Sequence, residues 1–148
     1  MNVKSVRLVF WIMVAVFVII ILSMFSVGLF TGGNPFRYII FPALAIFFGL
    51  GIALLVLTVK KEPGGRRKAF LILTGSSAVG IPVFGVLHNL VYALLIWLFG
   101  EDAWGSLGDE PVFFALAVIV CPVAYLVGAI GTITLTIRNR SGVATGAP

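Results

Sequence analysis

Charge is what this chain has least of. Only 10% of its residues are Asp, Glu, Lys or Arg, against 61% hydrophobic, whereas soluble domains run at about a quarter charged. Such a chain cannot cover its apolar surface with polar groups, which excludes an ordinary water-soluble domain. One cysteine, Cys121, rules out an intramolecular disulfide and any metal site built from several thiolates. Inside an apolar run it reads as a small hydrophobe. One histidine, His88, rules out a His-rich metal box and, within one copy, a bis-histidine haem site. The four apolar runs, residues 8–30, 38–59, 69–99 and 112–137, contain no Asp, Glu, Lys or Arg. Proton-coupled exporters generally need an acid at membrane depth as a relay, so that class is disfavoured. No catalytic triad or phosphate loop is present, and no cofactor is expected.

What is present has the length scale of a bilayer. A hydrocarbon core about 30 Å thick needs roughly 20 apolar residues in helical form, and each of the four runs supplies them. Helices are required because lipid offers no partners to open backbone groups, and the alternation of a barrel strand is missing. The first run follows Lys4 and Arg7 as a signal peptide would. It is too long for a removable hydrophobic region, which spans roughly 7–15 residues, and reads as a retained helix. The fold class expected is therefore all-α: one polytopic membrane domain over residues 1–148, a bundle of four transmembrane helices. The third helix, 69–99, is expected to kink near Pro82, and residues 139–148 to form a disordered tail.

The few charges are sorted by sign. Lys4, Arg7, Lys60, Lys61, Arg66, Arg67, Lys68, Arg138 and Arg140 fall on one set of connectors and Arg37 alone on the other. Four of the five acids, Glu101, Asp102, Asp109 and Glu110, share the connector after the third run. Short loops follow the positive-inside bias, so both termini are predicted to be cytoplasmic, in the cell membrane. Trp11 near one surface, and Tyr38, Trp97 and Trp104 near the other, suit aromatic belts. The basic residues flank apolar runs rather than forming a separate patch, so nucleic acid is not an expected partner. The acidic connector lacks an EF-hand spacing and reads as a solvated face.

His88, Asn89 and Tyr92 are the polar residues placed to line a pathway or hold a ligand. They sit within a turn of one another, and polar groups inside a bilayer face the bundle interior or a wet cavity. The competing reading is packing glue between helices. Close helix approach is expected along two small-residue stripes: Ala45, Gly49 and Ala53 on the second helix, and Ala124, Gly128 and Thr132 on the fourth. Their partner is either another helix of this chain or a second copy. Packing chemistry is abundant and catalytic chemistry scarce. The reading that follows is a non-enzymatic scaffold or accessory subunit in the lipid bilayer, forming a homo-oligomer or joining a membrane protein partner. The alternative is a transporter or channel subunit for a small neutral solute, with Pro82 kinking the helix beside His88. A membrane enzyme acting on lipid or quinone, with His88 as base, ranks third.

Overall fold

The computed structural model describes residues 4–27, 37–100 and 110–144, except for the side chains at 24–27, 37–39 and 140–144. All regular structure among them is helical. Helix α1 spans Lys4–Val27, α2 Arg37–Lys61 and α3 Arg66–Phe99. A fourth rod is built from α4, Pro111–Ala115, a π-turn at Leu116–Val120, and α5, Cys121–Ala144. Among the described residues, four helices are long and apolar enough to cross a membrane. Trp104 and the acids Glu101, Asp102 and Asp109 lie outside the described residues, as do residues 145–148. Of the tail expected from 139 onward, α5 takes in residues up to Ala144.

Helix α3 is central, packing against α2 on one side and against the fourth rod on the other, while α1 leans on α2. The chain turns between α2 and α3 through Gly65, whose φ of +119° is left-handed backbone that favours glycine. Lys68 Nζ donates to the Val59 carbonyl at 3.4 Å, covering one of the carbonyls that the end of α2 leaves open. Glu62, itself buried, faces Arg67 Nη2 at 3.3 Å across the same turn.

Two seams hold α3 in place. Against α2, Gly51 meets Ala78, Val79 and the Gly75 carbonyl, and Gly75 in turn meets Leu55 and the Gly51 carbonyl. Against α5, Gly128 lies on the Thr74 and Phe70 backbone, and Gly131 lies on the Phe70 ring. Lipid is as apolar as leucine, so close approach of this kind gains dispersion contacts where burial alone gains little. The two predicted stripes therefore part company. Gly128 and Thr132 are buried and Ala124 half-buried, so that stripe faces α3. On α2, Ala45 and Gly49 are exposed and nothing approaches a Cβ built on Gly49. At Ala45 and Gly49 that stripe points out of the bundle, while Ala53 is half-buried.

The middle of the bundle is aromatic. Phe17 of α1, Phe47 of α2 and Tyr125 of α5 are all buried, with ring centroids 4.3 Å apart for Phe17–Tyr125, 5.3 Å for Phe47–Tyr125 and 5.8 Å for Phe17–Phe47. Around this knot the outer faces stay apolar, with Leu22, Phe41, Val86 and Ile130 all more than 60% exposed. A large apolar exterior of this kind needs an apolar surrounding.

Helix α3 is continuous through Pro82. In the fourth rod, Pro122 is preceded by a wide turn in which the Cys121 N–H reaches back to the Leu116 carbonyl, five residues earlier. Proline removes a helical donor and its ring crowds the carbonyl four residues back, and a π-turn just ahead makes room for it. The same bulge sets Cys121 Sγ against Gly80 of α3, 2.7 Å from where a Cβ would lie.

Candidate functional site

His88 lies on α3 roughly 21 residues past Arg67, or about 32 Å of helix at 1.5 Å per residue. That distance is the thickness of a hydrocarbon core. The ring is therefore level with the far end of the bundle, where α4 begins. The last three turns of α3 run on past it and leave Trp97 and Phe99 more than 70% exposed.

The start of α4 explains what His88 does. Asp109-Glu110-Pro111 ahead of an apolar run is a helix N-terminus in sequence terms, with an acidic cap and proline at the first helical position. Glu110 is the cap: its Oε1 accepts from the Val112 N–H at 2.8 Å and its Oε2 from the Phe113 N–H at 2.9 Å. His88 Nδ1 lies 3.0 Å from the Glu110 carbonyl oxygen and 3.4 Å from its Oε2. Both neighbours are acceptors, so Nδ1 carries the hydrogen and donates, chiefly to the nearer carbonyl. Phe114 packs against the imidazole at 5.5 Å, and Phe84 stacks on Phe113 at 6.2 Å one turn earlier on α3.

Glu110 is 4% exposed, which corrects the expectation of a uniformly solvated acidic connector. Removal from water raises its pKa. The N–H groups of Val112 and Phe113, the His88 ring and the Phe114 N–H outweigh that and hold it below the usual 4.5. A carboxyl lowered in the folded state contributes stability that is present above its unfolded value and lost as pH falls through its folded one. The thermal midpoint is therefore expected to hold from neutrality down to about pH 5 and to fall below that. Subtracting the profile of Glu110→Gln isolates this carboxyl from the other acids. If the two profiles superimpose, the cap is not ionised.

The three predicted pathway residues do not act as one group. His88 and Tyr92 share a face, with ring centroids 6.5 Å apart and planes 25° from parallel. Asn89 is exposed, and its Nδ2 donates to the Gly85 carbonyl of its own helix at 2.8 Å. Pro82 lies more than a turn away on the same helix. What the geometry offers is an imidazole oriented chiefly by the Glu110 backbone carbonyl, with that residue's carboxylate close by and both its oxygens engaged by helix N–H groups. Glu110 thereby works as a clasp between α3 and α4. Among the described residues, no three of His, Cys, Asp and Glu come together as a metal would require.

Sequence reasoning missed Glu110, although the Glu-Pro ahead of an apolar run was a signal that could have found it. No protein family matches this chain, and no curated protein or solved structure is significantly similar to it.

Proposed function

We propose that the protein is a non-enzymatic scaffold or accessory subunit of the cell membrane, crossing it four times with both termini in the cytoplasm. The observation that carries this reading is the His88–Glu110 clasp, in which the chain's one histidine ties α3 to the cap of α4. Asn89 is likewise satisfied within its own helix. Two of the polar groups best placed for pathway work are thus engaged by the fold itself, His88 between helices and Asn89 within one. The connector bias supports the orientation, since nine of the ten Lys and Arg flank the end where both termini lie. The small-residue stripe of Ala45, Gly49 and Ala53 on α2, exposed at Ala45 and Gly49, is the face through which such a scaffold takes up a neighbouring membrane helix, from a second copy or a partner protein.

The test is His88→Ala in purified protein and in sealed vesicles. Loss of one net hydrogen bond, about 1 kcal/mol, should lower the thermal midpoint in detergent by a few degrees. After osmotic shrinkage in glycerol or urea, vesicles carrying either form should re-swell at the protein-free rate. Faster solute entry through the native protein, abolished by His88→Ala, would establish the pathway reading in its place.

A further inference from the structure

The fourth rod is two pieces joined at a break in its hydrogen-bond ladder. The Cys121 N–H reaches back to the Leu116 carbonyl, so the Ala117 carbonyl loses its helical donor. Pro122 has no N–H, so the Val118 carbonyl loses its donor too. Two successive losses make a hinge of what would otherwise be a stiff rod, and π-turns of this kind recur at functional sites. We infer that residues 110–120 form an arm that swings away from α3 about the π-turn and is held shut by the His88–Glu110 clasp.

Packing differs across the hinge in the way such an arm requires. None of the five α4 residues is buried, and Ala117 is the buried member of the turn. Helix α5 is buried from its first residue, with Cys121, Tyr125, Gly128, Ala129 and Thr132 all turned inward. Cys121 Sγ sits against Gly80 and pins the start of α5 to α3. Segments with few buried contacts open at a lower free energy than segments with many, so motion is confined to what precedes Cys121.

The clasp lies where a latch has most leverage. Pro111–Val120 is about 14 Å long at 1.5 Å per residue, and the hydrogen bond from His88 Nδ1 to the Glu110 carbonyl is at its far tip. Between latch and hinge stands the Phe84–Phe113 stack, with centroids 6.2 Å apart. A bend of about 20° carries the tip about 5 Å, which breaks the 3.0 Å hydrogen bond and parts the two rings. The gap opens sideways into the bilayer, lined by Phe84 and Phe113, and acyl chains fill it.

Pulsed electron paramagnetic resonance of the full chain in lipid nanodiscs measures the swing. Spin labels are placed through Val86→Cys on α3 and Val112→Cys on the arm, both at least 60% exposed, with Cys121→Ala removing the native thiol. His88→Ala should raise the ratio of a longer distance to the native one roughly five-fold, the worth of one net hydrogen bond. A second label pair, through Ile72→Cys on α3 and Ile130→Cys on α5, lies beyond the hinge and should keep a single distance. Adding Pro122→Ala to His88→Ala returns a donor to the Val118 carbonyl and should narrow the first distribution again. An unchanged distance between positions 86 and 112 in His88→Ala would overturn the arm. So would equal broadening of both pairs, which is general loosening, or a longer distance that Pro122→Ala leaves in place, which moves the pivot elsewhere. A rigid arm would leave the scaffold reading standing, since a clasp that never opens still ties α3 to α4.

Discussion

Replacing Gly128 by alanine is expected to pry α5 from α3, whereas the same change at Gly49 should leave the bundle intact. A Cβ at position 128 would lie 2.5 Å from Thr74 Oγ1, 2.8 Å from the Thr74 nitrogen and 2.9 Å from the Phe70 carbonyl oxygen. Two of those three atoms are backbone, so no side chain can swing aside and the helices must separate. Overpacking of a tight core costs about 1–3 kcal/mol. Alanine's better helix propensity returns roughly 1 kcal/mol at most, and more bulk at 128 only deepens the loss. At Gly49 a Cβ meets nothing within 4 Å, so only the propensity gain remains. Cys121, the chain's only thiol and 6% exposed against the same face of α3, reports the outcome directly. Gly128→Ala should lower the temperature at which a thiol-reactive dye labels it, and Gly49→Ala should not. Gly49→Leu should also preserve thiol protection while reducing self-association or partner capture through the outward stripe. Early labelling in Gly49→Leu would mean that the stripe packs inside the bundle after all.

The contrast between these two glycines marks the boundary of what could be read before the structure. Four helical rods were legible, because the hydrocarbon thickness sets their number and length and the flanking charges mark their ends. Two of their starts lie earlier than expected: α1 begins at Lys4 rather than at 8, and α3 at Arg66 rather than at 69. Hydropathy finds where lipid contact stops, but Lys and Arg are good helix formers and carry the helix on into the flank. Which face of a helix turns inward was not legible. In water an apolar stripe marks the core, but in lipid both faces are apolar and the stripe vanishes. Small residues then signal close approach without saying to what. The Ala45–Gly49–Ala53 spacing looked as persuasive as the Gly51 contact that does seat α2 on α3. The clasp was half legible: His88 stood out as the lone histidine in an apolar run, whereas Glu110 was hidden among four acids of one connector, 22 positions away.

The aromatic knot supplies the other large effect. Tyr125→Ala should remove most of the stability of the bundle's middle, whereas Tyr125→Phe should match or exceed the native protein. The Tyr125 ring is 1% exposed and is the one member of the knot that α5 contributes, meeting both Phe17 and Phe47. Truncating a buried aromatic to alanine leaves a cavity and costs about 3–5 kcal/mol. Here it also deletes two ring contacts of about 0.5–1.5 kcal/mol beyond their area. Helix α1 should suffer most, because its seam with α2 is its main backbone contact and Phe17–Tyr125 is a direct ring contact from it to α5. The hydroxyl has the opposite sign. Its oxygen is buried without a hydrogen-bond partner, so the native fold bears a desolvation cost that phenylalanine lacks. Thermal denaturation in detergent followed by near-ultraviolet circular dichroism should order the three as Phe at or above Tyr, and Ala far below. A Tyr125→Phe midpoint well under the native one would mean that the hydroxyl has a partner, such as an internal water, and that the centre of the bundle is wet. A wet centre would reopen the question of solute passage that the His88–Glu110 clasp argues against, because water at that depth must enter from one end.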